Sequence, residues 1–217
     1  TKEIEFQELE IQLAEKQMKE MKASIEHKKE IIAQSKEKLE LKSKNSIPEI
    51  IFVFSFLFLL GLLVYYFYPE QSLPKDSKID TMIVYKSKHQ LLAFSKGKLI
   101  KTYTISLGRN PVGAKEYEGD YKTPEGTYFI HDKNPNSGWH KNLGISYPNQ
   151  NDMAKAKRLG KPAGGDIKIH GLKNGKGYIG KFHRWQDWTL GCIAVTNAEI
   201  DELYNAVSVG CTIEIKP

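Results

Sequence analysis

The sequence predicts a mostly β, α+β domain preceded by an N-terminal helix and one transmembrane helix. Three observations predict it: a Lys/Glu-rich N-terminal stretch with apolar residues at intervals of seven, a charge-free run from Ile50 to Pro69, and a remainder built of short Ile-, Val-, Tyr- and Thr-rich runs broken by turn residues. With 217 residues, 40% hydrophobic residues and only two cysteines, the composition excludes a disulfide scaffold and a disordered tail.

Residues 1–49 form the first segment. Ile4, Ile11, Met18, Ile25, Ile32 and Leu39 fill one heptad column, whereas Gln7, Ala14, Met21, Lys28 and Ser35 make a poor second one. The segment therefore reads either as a solvated helix or as one that self-associates or takes a cytoplasmic partner. Nothing in it looks catalytic.

Residues 50–68 are the expected membrane span. At about 1.5 Å per residue such a run makes a helix of roughly 30 Å, the thickness of a bilayer's hydrocarbon core. IIFVFSFLFLLGLLVYYFY has no polar face, and Tyr65, Tyr66 and Tyr68 cluster at one end as interfacial anchors do. The long preceding segment and the absence of a small-residue cleavage site argue against a signal peptide, so the helix is expected to stay as an anchor. Lys36, Lys38, Lys42 and Lys44 lie before the run and Lys75 and Lys78 after it, which puts the N-terminus in the cytoplasm.

Residues 1–48 contain ten lysines and ten glutamates, so the net charge of +6 resides at and beyond the span. A basic outer domain suits an anionic partner such as a cell wall, and a domain held outside the membrane seldom meets nucleic acid. No nucleic-acid partner is expected.

After a linker at 69–78, residues 79–217 suffice for one domain with its own core. The stretch from Ile79 to Gly108 reads as three strands with turns near Lys86–Lys88 and at Lys96-Gly97. Pro124 and Gly126 mark a turn before an extended run over Thr127–His131. Asn134–Ala163 reads as loop, with a short helix around Asp152–Arg158. DIKIHG reads as a strand ending at His170, and NAEIDELYNAV as a helix capped by Thr196 or Asn197. In the closing strand Val207, Val209, Cys211, Ile213 and Ile215 alternate, which makes Cys211 a core thiol.

Cys192 is placed differently, directly after Gly191 and just before a helix signal. A cysteine nucleophile needs thiolate character, a base within reach and donors for an oxyanion. His170 at a strand end can supply the base, and Gly191 a tight turn that leaves N–H groups free. On the residues alone, a catalytic Cys192/His170 pair competes with a satisfied histidine beside a core cysteine and with a Cys192–Cys211 disulfide.

IHG (Ile169–Gly171) followed by TLGCIAVTN (Thr189–Asn197), with TPEGTY upstream, resembles the L,D-transpeptidase catalytic domain, also called YkuD. The resemblance covers about residues 79–217. It implies a β-sandwich catalytic domain, Cys192 as nucleophile, His170 as general base, and Gly171, Thr189 and Gly191 as further motif positions at the substrate site. It also implies peptidoglycan stem peptides as substrate, no cofactor, and an inner-membrane protein with its catalytic domain in the periplasm.

Leu190 stands where many members carry His or Asp, and Ala194 where many carry Arg or Asn. The separation of 22 positions between His170 and Cys192 is at the long end of the pattern, with KNGKGYIGKFHRWQD as the insertion. Within it His183 is a reserve base and Arg184 a candidate carboxylate contact, and Trp185 there or Trp188 just after it is a candidate groove wall. GKGYIG matches GxGxxG but no apolar helix follows, which removes a dinucleotide site. No HExxH or paired Cys-x-x-Cys exists, so no metal site is expected.

Overall fold

In a computed structural model of the chain, the backbone of residues 2–217 and the side chains of residues 13, 15–44 and 47–217 are described. One unbroken helix, α1 (Lys2–Phe67), takes in both the expected N-terminal helix and the apolar run. Glu, Lys, Leu and Gln, all strong helix formers, dominate its first two thirds. Pro48 lies inside the helix, where it forfeits one backbone hydrogen bond. Met18, Ile25, Ile32 and Leu39 are exposed along it, as are the apolar side chains Ile50–Leu60. By length and composition this helix can cross a membrane.

The chain divides into two compact units, and the second runs from Tyr66 to Pro217. Strands β1 (Ile79–Tyr85), β2 (Gln90–Ser95) and β3 (Lys98–Thr104) form the expected meander. The rest is β4 (Gly126–Ser137), β5 (His140–Ile145), helix α2 (Gln150–Arg158), β6 (Lys168–His170), β7 (Ile193–Ala194), helix α3 (Asn197–Ala206) and β8 (Val207–Lys216). All eight strands join one sheet in the order β3-β2-β1-β8-β4-β5-β6-β7.

The long strand β4 makes that sheet curl, because Gly126–Phe129 pair with β8 while Ile130–Ser137 pair with β5. Both halves then cover a single core: Met82, Val84, Leu91 and Ile213 from one side, Ile130, Leu143, Ile169 and Ile193 from the other. Burial of these side chains is the dominant favourable term, about 1.5–3 kcal/mol each. α3 closes the core with Ile200 and Leu203 and begins in a capping box, in which Thr196 accepts from the Glu199 N–H and Glu199 accepts from that of Thr196.

Two expectations need correction. Asn134–Ala163 is not mostly loop, since its first part completes a β4–β5 hairpin around Gly138-Trp139. Its residues are polar because one face lines a cavity rather than the core, which hides the strand period. Val209 is also exposed rather than inward, because Gly210 at φ +92° interrupts the alternation of β8.

Candidate active site

β6 runs parallel to β7, with Ile169 opposite Ile193 and His170 opposite Ala194. Cys192 immediately precedes β7, so residues far apart in the chain become neighbours. Both line one cavity of about 940 Å³, together with Trp139, Asn142, Trp188, Thr189 and Leu190.

His170 is buried, and its Nδ1 lies 2.6 Å from the Gly171 carbonyl. A carbonyl only accepts, so Nδ1 carries the proton and Nε2 keeps its lone pair. The rings of Trp139 and Trp188 lie 5.0 and 5.7 Å away. Burial lowers the imidazole pKa below the usual 6.5, the Lys168 cation adds to that, and the Gly171 hydrogen bond only partly opposes it. His170 is thus a neutral imidazole at pH 7.

The Cys192 thiol donates to the Asp166 carbonyl at 3.6 Å and is half-buried. Burial pushes its pKa up, against the opposing Lys168 backbone N–H. At pH 7 Cys192 is therefore a thiol and His170 a neutral imidazole.

The turn before Cys192 is built by its neighbours. Thr189 Oγ1 donates to the Cys192 carbonyl at 2.7 Å and accepts from the Gly191 N–H at 3.1 Å. That takes up the Gly191 donor, while the Cys192 N–H has no acceptor among the described residues. Gly191 sits at φ +137°, where a Cβ would stand 2.8 Å from the Lys122 carbonyl oxygen. At Gly171 a Cβ would meet Asn197 Oδ1 at 2.8 Å. Gly191→Ala is expected to lower stability by about 1–3 kcal/mol and to displace the cysteine, seen as a lower Tm and reduced turnover. An unchanged Tm would contradict this reading.

Trp188 joins the cavity wall, stacked on Trp139 at 5.4 Å between ring centres. Trp185 is exposed and lines a second cavity of about 530 Å³ with Phe182 and His183. His183 is held by Ser106, whose Oγ donates to the His183 carbonyl at 2.9 Å and lies 3.2 Å from Nδ1. Burial, with Arg184 beside it, brings the His183 pKa down to about 4. Its Nε2, Trp188 Nε1 and Asn142 Oδ1 are buried without a hydrogen-bond partner among the described residues.

Arg184 does not line the Cys192 cavity. Its guanidinium reaches Glu199 at 2.7 Å and Glu70 at 2.8 Å, with the Arg184 and Glu199 side chains only 7% and 5% exposed. Lys181 also pairs with Glu70, and Tyr66 Oη donates to the Tyr178 carbonyl, so residues 66–70 are strapped to the insertion. Burial raises the Glu70 pKa, but Arg184 and Lys181 outweigh it and hold the carboxyl below its usual range. Glu199→Ala leaves a buried guanidinium half-paired and removes a helix cap. It is expected to cost about 3–5 kcal/mol in thermal or chemical unfolding, with Glu199→Gln milder. A loss under about 1 kcal/mol would show that water compensates the charge.

Sequence reading missed Trp139, Asn142 and Arg109 at this cavity. For Trp139 the signal was present: Ser137-Gly138 is a turn pair between two runs that can extend. Cys211 is buried in the core, and both cysteines are free thiols.

Residues 80–215 match the L,D-transpeptidase catalytic domain family, YkuD, and the chain belongs to that family. YafK of Escherichia coli strain K12 is 29% identical over 113 residues, 51% of this chain and 38% of that protein. Among solved structures, the helical cell shape determining protein Pgp2 from Campylobacter jejuni is 25% identical with a TM-score of 0.49, covering 65% of this chain and 48% of that one. Bd1075 of Bdellovibrio bacteriovorus is 23% identical with a TM-score of 0.45, covering 64% and 48%. The chain spans less than half the length of each of these three proteins.

Proposed function

We propose that this chain is a membrane-anchored L,D-transpeptidase that acts on peptidoglycan stem peptides through a Cys192 thioester. The observation that carries the reading is that a free thiol and a buried, neutral imidazole, whose Nε2 has no partner among the described residues, line the same cavity.

In this reading His170 Nε2 takes the thiol proton as Sγ attacks the carbonyl carbon of the third stem residue. The S–C bond forms and the carbonyl electrons move onto oxygen, and the Cys192 N–H can donate a hydrogen bond to the resulting oxyanion. Collapse breaks the C–N bond, and the proton on Nε2 passes to the leaving amine of the terminal D-residue. An amine of a second stem peptide or of a wall-attached protein then attacks the thioester, giving a cross-link and restoring the thiol. Water in place of the amine makes the same site a hydrolase.

Residues 50–68 cross the inner membrane with 1–49 in the cytoplasm, and 69–78 link the span to a periplasmic catalytic domain at 79–217. The lysine asymmetry across the run supports this orientation. Incubating the full chain with a disaccharide tetrapeptide, followed by mass spectrometry of the muropeptides, tests the chemistry. Release of the terminal residue with a cross-linked product supports transfer, and a bare tripeptide supports hydrolysis. An unchanged substrate overturns the proposal.

A further inference from the structure

Three cations face the cavity that holds Cys192: Arg109, Lys115 and Lys168. Two of them are already engaged. Lys115 Nζ sits 2.8 Å from Asp120 Oδ1 with both side chains 4% exposed, and Lys168 Nζ sits 2.8 Å from Asp166 Oδ1. Arg109 has no carboxylate partner among the described residues.

Its place is nevertheless fixed. The Arg109 backbone N–H donates to the Thr189 carbonyl at 3.0 Å, and its Nε donates to the Trp188 carbonyl at 3.3 Å. The guanidinium carbon lies 6.0 Å from the centre of the Tyr121 ring. Both carbonyls belong to the run that ends at Cys192, and Thr189 ties that run to the Cys192 carbonyl. Because only Nε is used on the protein, both terminal NH2 groups remain as a planar fork on an exposed, cavity-facing side chain. Such a fork matches a carboxylate and is pre-organised by its stem contacts.

From this arrangement we infer that Arg109 binds a free carboxylate of the acyl donor beside the scissile bond and sets the preference for acid-bearing stem peptides. The inference rests on the acyl-transfer reading above. Arg109 touches substrate but moves no proton. The carboxylate can come from the terminal residue that leaves or, where the third residue is a dibasic, two-carboxyl amino acid, from that residue's side chain.

The test pairs substitutions on both partners. Full-length wild type, Arg109→Gln and Arg109→Lys are given three tetrapeptide stems: unmodified, carboxamide at the C-terminus, and carboxamide at the third-residue side chain. Release of the terminal residue is followed as kcat/KM. Wild type is expected to favour the unmodified stem over one carboxamide by roughly tenfold to a hundredfold. Arg109→Gln is expected to lose that preference, falling on the unmodified stem while leaving the discriminating carboxamide nearly unchanged, and Arg109→Lys to keep part of it. Which carboxamide loses the effect identifies the carboxylate. Release from all three stems with equal losses in Arg109→Gln overturns the Arg109 assignment alone, since a merely structural role weakens all substrates alike. No release by wild type from any stem overturns the acyl-transfer reading and this inference with it.

Discussion

Cys192→Ala is expected to lower release of the terminal D-residue by at least about a thousandfold, the order of loss when a covalent nucleophile is removed. Cys211→Ala is expected to leave turnover within about twofold, because that substitution touches no transition-state contact. The two thiols differ in placement rather than in chemistry. Cys211 is buried among the apolar side chains of the core, and burial pushes its pKa up to about 11. Cys192 lines the open cavity at the end of a turn shaped by Thr189 and Gly191. Cys211→Ala should therefore register in stability, and Cys192→Ala in chemistry. If Cys211→Ala stopped turnover while Tm held, the assignment of the two sulfurs would be reversed.

His170→Gln is expected to reduce kcat/KM by about 10²–10⁴-fold, the usual contribution of a general base. The pH profile gives a sharper signature. In the proposed role His170 accepts a proton only when it is unprotonated, and burial holds its pKa below 6.5. Activity should thus persist as pH falls past 6.5 and disappear only as pH drops through that lowered value. His170→Gln should abolish this acid limb along with most of the rate, while His183→Gln should keep the limb in place. An acid limb centred above 6.5 in wild type would show that the imidazole meets a stabilising anion instead of a dry pocket of tryptophans.

Much of this architecture was legible before any coordinates. The β1–β3 meander announces itself by β-branched runs with turns at Lys86–Lys88 and Lys96-Gly97. α3 is legible from NAEIDELYNAV with its cap at Thr196 or Asn197, and the family from IHG and TLGC. What stayed hidden depends on partners distant in sequence. Arg184 looks available for substrate until Glu199 and Glu70 are seen on either side of it. Trp139 is a different case: the Ser137-Gly138 turn pair was a local signal, but its hairpin faces a cavity, so no apolar stripe marks the flanking strands. Arg109 lies 83 residues before Cys192 and reaches that loop only through the Trp188 and Thr189 carbonyls, a relation no local pattern encodes.

The covalent step is tested most directly by intact-mass measurement of the full chain after incubation with a carbapenem, whose strained lactam traps an attacking thiol as an acyl adduct. Wild type and Cys211→Ala are expected to gain the mass of one whole carbapenem, and Cys192→Ala to gain none. An adduct on Cys192→Ala, or none on the wild type, would contradict the assignment of Cys192 as the acylated nucleophile.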